Sequence, residues 1–509
     1  MKYDSSFRVT SQILNGVDTV NFKYDNDGLL TNVGVMSLAY NLQNGLLTGT
    51  SLGNVTTSQT YSTFGELASY AASYSSSPIF QTSYVRDSLG RITTLNEAIQ
   101  GVSKSMQYSY DPVGRLQNVW RNDTLVSVHS YDANGNRIAH WTPTEIDSGT
   151  YDAQDRMLTY GNAQYFYGRN GDLQTKISGT DTAIYTYDAF GNLTQVVMAN
   201  GDVIQYVVDG QNRRIAKKLN GKIVERWIYS GQLSPIAELD SAGNVIAEFA
   251  GSYMIKDGST YRIIRDHLGS VRLVVDVNSG TVVQRLDYDE FGNITYNSNS
   301  DFQPFGYAGG LYDSESRLLR FGVRDYDGIT GRWTNKDPIR FEGGSSNLYS
   351  YAKQNPISYV DLDGLSCLIF NRAADKLELY DSFGNWLASF NAANNATNPE
   401  GNPCEKESHA PAPNGTFVVR PPVKVDENDA DAIEQYGPYK FPIGTATDCA
   451  GKRGILIHAG RTGYAYPTWG CIRVDEATIY KLYDYNQQDP ITEITIENEA
   501  GVGSWQTCY

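Results

Sequence analysis

Through its first two thirds the chain alternates apolar and polar residues, and a short aspartate–glycine cluster breaks the alternation again and again. Clear copies are Tyr110-Asp111-Pro112-Val113-Gly114-Arg115-Leu116, Tyr131-Asp132-Ala133-Asn134-Gly135-Asn136-Arg137 and Tyr187-Asp188-Ala189-Phe190-Gly191-Asn192-Leu193. Another is Asp287-Tyr288-Asp289-Glu290-Phe291-Gly292-Asn293, and looser copies begin at Tyr24, Asp87, Tyr151, Asp209, Asp240 and Asp266. A period of two predicts half-buried strands. An Asp-x-x-Gly step predicts the turn between them, because aspartate bonds its own turn backbone and glycine supplies a positive φ. Each copy is therefore one β-hairpin. A repeat at roughly 20 residues predicts a β array in which each unit packs on its neighbours. The 37 tyrosines suit such a surface, apolar in the body of the ring and polar at its tip.

The last third reads differently. Pro413-Asn414-Gly415-Thr416-Phe417-Val418-Val419 reads as a turn entering a strand, and Ile455-Leu456-Ile457-His458-Ala459-Gly460 as a short buried strand ending in histidine. Thr468 to Val474 reads as a turn and then a strand. Asp475 looks like the N-cap of a short helix, on the spacing of Ala477, Ile479, Leu482 and Tyr483. All five cysteines fall here, at 367, 404, 449, 471 and 508. Setting Cys471 aside leaves four, which fit either one or two disulfides in an oxidising compartment or reduced, buried thiols. The formal net charge of −16 argues against nucleic acid as partner. No apolar run approaches the roughly 18 residues needed to span a bilayer. The start, Met1-Lys2-Tyr3-Asp4-Ser5-Ser6, has no apolar stretch of the signal-peptide kind, so export would fall to a dedicated machine or a fused partner.

The densest chemistry lies in Thr468-Trp469-Gly470-Cys471-Ile472-Arg473, with His458 thirteen positions before Cys471. A cysteine needs a base to become a thiolate at neutral pH, and histidine is the usual one. Gly470 lets the backbone turn sharply and present N–H groups to a developing oxyanion. Arg473 offers a bidentate fork for a substrate carboxylate, or equally a structural ion pair. Thr468 either orients the site or caps the turn, and Trp469 either walls the site or packs. The histidine precedes the cysteine and lies close by, the reverse of papain-like peptidases. The histidines, at 129, 140, 267, 409 and 458, form no metal-binding spacing, and no cofactor is implied. His267 reads as a structural histidine and His409 as a surface one.

The tail, roughly residues 366–500, resembles the L,D-transpeptidase family of peptidoglycan enzymes. The resemblance rests on the His-x-Gly segment, the Thr-Trp-Gly-Cys-Ile-Arg run and the Pro-Asn-Gly-Thr-Phe strand. Many members carry a second histidine where this chain has Trp469. The resemblance implies a small β-rich catalytic domain in which His458 deprotonates Cys471. It also implies peptidoglycan stem peptides as substrate, with water or an amine as acceptor.

The repeats resemble the YD repeats of the rearrangement-hotspot (Rhs) and insecticidal-toxin-complex families, which implies a mainly β shell. A core segment of that family is matched by Arg265-Asp266-His267-Leu268-Gly269-Ser270-Val271-Arg272 and Pro304-Phe305-Gly306-Tyr307-Ala308-Gly309-Gly310. The match runs on through Arg324-Asp325-Tyr326-Asp327, Gly331-Arg332-Trp333, Asp337-Pro338-Ile339 and Asn347-Leu348-Tyr349-Ser350-Tyr351. By this resemblance Asp325 and Asp337, with Arg324 adjacent, are self-cleaving carboxylates that share a proton and act as acid and base on a water. The cut-site motif is Asp361-Leu362-Asp363-Gly364-Leu365, with Leu362 where the family usually has proline, and the cut falls between Leu365 and Ser366. The expected organisation is a YD-repeat shell at 1–260, an Rhs-associated core at 261–365 and a toxin domain at 366–509. Such an antibacterial effector would be made in the cytoplasm and would use a secretion-machine component, type VI by analogy. It would act in the target periplasm and need a cognate immunity protein. Two other readings stand beside it. One is a YD-repeat surface or adhesion protein with a non-catalytic wall-binding tail, and the other is a cysteine peptidase toxin acting on protein.

Overall fold

The structure, a computed structural model, describes residues 1–361 apart from 6, 7, 15, 17, 64, 232 and 339–345. Beyond 361 it describes the strands named below and Leu482. The chain divides into two units, Met1–Pro338 with Asn347–Leu362, and Ile339–Ser346 with Asp363–Tyr509. Among the described residues no helix is long and apolar enough to cross a membrane.

The first unit is mainly an antiparallel array of thirty strands, from β1 (Lys2–Tyr3) to β30 (Ile294–Asn297). Each strand pairs with its neighbours in sequence, as β1 does with β2 (Val9–Leu14) and β29 (Val282–Tyr288) does with β30. The turn at Asp132 shows why the repeats fold this way. Its N–H donates to the Asn136 carbonyl at 3.0 Å, and the Gly135 N–H donates back to the Asp132 carbonyl at 3.2 Å. The Asp132 carboxylate accepts from the backbone N–H groups of Asn134 and Asn136 and from the Asn136 side chain, each at 2.9 Å. Gly135 sits at φ 81, and the register shifts at Tyr131. This is a tight turn closed by a glycine bulge.

At several turns the tyrosine before the turn reaches back to the preceding repeat. Tyr131 donates to the Leu116 carbonyl at 2.8 Å, Tyr151 to that of Arg137 at 2.8 Å and Tyr229 to that of Arg214 at 2.9 Å. The same tie joins Tyr24 to Val9, Tyr110 to Ile92 and Tyr288 to Val271. Where the residue after the glycine is arginine, it binds its own turn aspartate and also lies over the next tyrosine. Arg115 is 2.6 Å from Asp111 and 4.9 Å from the Tyr131 ring centre. The two looser repeats at Tyr151 and Asp209 put Asp155 (φ 58) and Asn212 (φ 63) at the glycine position. Aspartate and asparagine are the side-chain-bearing residues that tolerate that backbone best.

The array runs past the expected boundary at 260/261, which falls inside β27 (Ser259–Arg265). Residues 302–338 and 347–361 follow as a compact core segment. It holds a four-stranded sheet of β31 (Leu311–Tyr312), β32 (Leu318–Phe321), β33 (Arg324–Asp327) and β34 (Arg332–Trp333). Tyr307, Phe321, Tyr326, Trp333 and Tyr351 pack there as one buried aromatic cluster. His267 is structural as expected: its Nε2–H donates to the Ile357 carbonyl at 2.8 Å, and its ring leans on Tyr84.

In the second unit the described strands form a nine-stranded sheet. They are β35 (Ser366–Asn371), β36 (Lys376–Tyr380), β37 (Trp386–Ala393), β38 (Gly415–Val418), β39 (Val423–Lys424), β40 (Tyr439–Pro442), β41 (Leu456–His458), β42 (Ile472–Val474) and β43 (Ile491–Glu497). The strands expected near 415, 456 and 472 are present, Ile457 and Leu482 are buried, and Leu482 is helical. The rest of the helix expected after Asp475 lies outside the described residues.

Two alanine substitutions separate the roles of the turn glycines. At Gly114 (φ 93) an added Cβ meets nothing closer than the Arg91 side chain at 3.8 Å. Gly114→Ala should therefore cost only the left-handed backbone penalty of about 1–2 kcal/mol. At Gly292 (φ 83) the Cβ would collide with the Tyr307 ring. Gly292→Ala should lose about 1–3 kcal/mol more, read as a larger fall in the urea unfolding midpoint.

Candidate processing and catalytic sites

Strand β33 sends successive side chains to opposite faces. Arg324 and Asp325 are adjacent on it and both are buried, at 2% and 1% exposed. They therefore serve two different charge clusters. On one face the Asp325 carboxylate accepts from Arg214 Nη2 at 2.7 Å through Oδ1, and from Arg320 Nη1 at 2.8 Å through Oδ2. Its backbone carbonyl accepts from the Thr334 N–H at 2.9 Å and the Thr334 hydroxyl at 3.0 Å. The Arg214 guanidinium lies 3.5 Å from the centre of the Tyr206 ring. Burial pulls Arg320 below the usual arginine value despite Asp325. For Arg214, burial pulls the same way but Asp325, Tyr206 and Asp313 outweigh it.

On the other face Arg324 holds two carboxylates at once. Nη1 is 2.9 Å from Asp337 Oδ2 and Nη2 is 2.8 Å from Asp361 Oδ2. Its guanidinium stacks 4.0 Å over Trp333, and Asp337 is further fixed by its N–H donating to the Leu348 carbonyl at 2.9 Å. Asp361 opens the expected cut-site motif, so the residue expected beside the carboxylates also grips the first residue of that motif. Leu365 lies outside the described residues, and Ser366 is the first residue of β35.

The geometry differs from the expected sharing of one proton by Asp325 and Asp337. Each carboxylate has an arginine of its own, because alternation on β33 puts Arg324 and Asp325 on opposite sides and both clusters are anchored by buried cations. Sequence reasoning missed Arg214, which lies 111 positions from Asp325, and Arg320, which lies five positions from Asp325 but 128 from Asn192. It also missed Arg332, which donates from Nη1 to Asn136 Oδ1 at 2.6 Å and from Nη2 to the Asp155 carbonyl. Asn136 and Asn192, which stand after the turn glycine, receive the core's guanidiniums. Asn244 and Asn293 stand at the same place in their own turns, so the position alone does not mark the contact.

In the second unit β41 and β42 are parallel neighbours, with Ile457 opposite Ile472 and His458 opposite Arg473. A parallel pair needs a connection of about a dozen residues or more, and thirteen positions separate the end of β41 from the start of β42. β40 flanks β41 with Lys440 opposite His458, and β37 flanks β42 with Ala393 opposite Arg473. Thr468, Trp469, Gly470 and Cys471 lie outside the described residues, as does His409.

Hairpin turns, tyrosine ties and a docked core segment define the class of the first unit as a YD-repeat β-shell of the Rhs kind. The family model described as Teneurin YD-shell matches residues 1–357, and the chain belongs to that family. It is 30% identical to Teneurin-3 of Danio rerio over 400 residues, which cover 70% of this chain and 14% of that protein. It is 27% identical to the tRNA nuclease WapA of Bacillus subtilis (strain 168) over 273 residues, 50% of this chain and 12% of that one. Among solved structures it resembles that of TcdB2-TccC3-TEV, with a TM-score of 0.59 and 18% identity over 72% of this chain and 21% of that chain. This likeness concerns the fold. The chain spans about a seventh of the length of the curated relative matched over most of its residues.

The buried cations make a stability prediction. Asp325→Ala leaves two guanidiniums buried without their anion and should cost about 3–5 kcal/mol. Replacing the whole cluster, with Asp325→Leu, Arg214→Met and Arg320→Met together, should cost less than that single change. Urea unfolding of the three chains checks the order.

Proposed function

We propose that this chain is a toxin-like effector that cuts itself after Leu365 and frees a cysteine enzyme acting on peptidoglycan stem peptides. The observation that carries the enzymatic half is the parallel pairing of β41 with β42, which sets His458 opposite Arg473 in the Cys471 run. In this reading His458 takes the proton of Cys471, and the thiolate attacks the carbonyl of the third residue of a tetrapeptide stem. Backbone N–H groups at Gly470 and Cys471 hold the oxyanion, and terminal D-Ala leaves with a proton from the histidine. Arg473 offers its fork to a stem carboxylate, and Thr468 shapes the turn. Water as acceptor gives L,D-carboxypeptidase action, and an amine gives exchange or cross-linking. No cofactor enters.

The processing half is supported by the placing of Asp325 and Asp337 on buried arginines of the same core segment and the adjoining array, and by the grip of Arg324 on both Asp337 and Asp361. Water adds to the Leu365 carbonyl carbon, the bond to the Ser366 nitrogen breaks, and the two carboxylates divide the proton transfers. Delivery by a secretion machine, action in the target periplasm and an immunity protein in the producer complete the reading.

Two experiments test it. Cys471→Ala and His458→Ala should each abolish removal of D-Ala from purified tetrapeptide muropeptides, read by mass. The two losses should be similar and non-additive, since the residues act as one unit. A Cys471→Ala chain that still trims the stems would sink the enzyme. If wild type also fails to trim but still binds cell walls, the adhesion reading with a wall-binding tail takes its place. For processing, wild type should yield two fragments meeting at Leu365/Ser366, while Asp337→Asn stays one 56.4 kDa chain. Cleavage of that variant at the wild-type rate would remove the self-cleavage assignment.

A further inference from the structure

Asp325 belongs to the core segment, yet much of what holds it belongs to the hairpin array. Arg214, on Oδ1, is the first residue of β22 (Arg214–Leu219) and directly follows the turn that begins at Asp209. Arg320, on Oδ2, comes from the core, but two consecutive array turns hold it in place. Its Nη2 donates to Asn192 Oδ1 at 2.7 Å and to the Asn212 carbonyl at 3.0 Å. The same two turns are tied to each other there, Asn192 Nδ2 donating to Asn212 Oδ1 at 3.0 Å. Arg214, Arg320, Asp325 and Asn192 are all at most 4% exposed. Both oxygens of the carboxylate are thus placed by groups that meet only when the core is docked on the turns at 188–192 and 209–213.

Proton transfer to or from a carboxylate depends steeply on its placement, and a misplacement of about 1 Å costs about 100-fold in rate. We infer that Arg214 is a positioning residue for self-cleavage, supplied by the array, so that Asp325 is set for chemistry only after these two turns have formed and received the core. The inference rests on the self-cleavage reading above. It makes release of the tail conditional on assembly of the shell around this point. The molecule carries its own control. Arg332 docks by the same kind of fork onto Asn136 and the Asp155 carbonyl, and it binds neither Asp325 nor Asp337 in the hydrogen bonds described above.

The test follows cleavage of the full chain over time, by gel and mass, beside the melting temperature of each variant. Arg214→Gln should slow cleavage by about 100-fold. Arg214→Lys, which keeps one cationic donor, should recover part of the loss. Asn192→Ala, which keeps both ion pairs of Asp325 but loosens Arg320, should slow it by about 10-fold. Arg332→Gln should lower the melting temperature as much as Arg214→Gln while cleaving within about 3-fold of wild type. Arg214→Gln cleaving at the wild-type rate would overturn the inference. So would Arg332→Gln falling as far as Arg214→Gln at the same melting temperature, because the role would then be merely structural. If Arg214→Gln does not fold, Asn192→Ala decides, and wild-type cleavage by it overturns the inference. A cleaving Asp325→Asn chain would bring down the self-cleavage reading itself. A silent Asp325→Asn beside a fully active Arg214→Gln would remove only the positioning role.

Discussion

The aspartate that closes the Asp-x-x-Gly turns is the constraint on which this architecture depends. Its carboxylate satisfies two turn N–H groups that the sheet leaves without partners, and its main chain fixes the bulge that turns the strand around. The tyrosine beside it then ties the repeat to the one before. The tyrosine bond is worth about 1 kcal/mol net, and each bond to the charged carboxylate about 1.5–3 kcal/mol. Repeated along the array, they fix the register of the strands they join, which alternation alone would leave free to slip.

The core segment meets the array through charge rather than through grease alone. Arg320 and Arg332 each join an asparagine side chain of one array turn to a backbone carbonyl of a neighbouring one, Arg320 through Nη2 alone and Arg332 through Nη1 and Nη2. Burying a cation is expensive, and here the terminal nitrogens of both guanidiniums meet acceptors while their buried Nε atoms do not. An apolar contact could slide by a residue at little cost. A guanidinium between two fixed turns has one seat. The residues that accept it are asparagine after the glycine, and aspartate or asparagine in place of the glycine itself.

Much of the fold is legible in the sequence because its chemistry is local. Asp132, Gly135 and Tyr131 lie within a few residues of what they bond, so their spacing announces the turn. The strands around His458 and Arg473 are legible for the same reason, being short apolar runs beside glycine. The charge clusters are not. Arg214 meets Asp325 across 111 positions and Arg332 meets Asn136 across 196. Nothing in either neighbourhood marks the pairing. The adjacency of Arg324 and Asp325 is readable, but it suggests one shared site, and strand alternation makes two. His129 and His140 show the same limit. No helical or metal-like spacing links them, yet they stack 4.7 Å apart across paired strands, with the Ser127 hydroxyl 3.0 Å from both rings. Burial and Arg137 push His140 down to about 4, so this cross-strand pair is neutral at ordinary pH.

That every strand of the array pairs with the strand next to it in sequence has a consequence for how the molecule comes into being. Most β proteins must search for distant partners, and they fold slowly for that reason. Here each hairpin can close as soon as it has left the ribosome, and the growing sheet offers a single open edge to the next one. The long-range contacts come late in the chain, from the last array strands, where Arg262 reaches Thr50 and Arg272 reaches Glu97, and from the core segment after them. Synthesis order and structural order therefore coincide: the wall is laid course by course, and the residues that lock it arrive when there is a finished wall to lock.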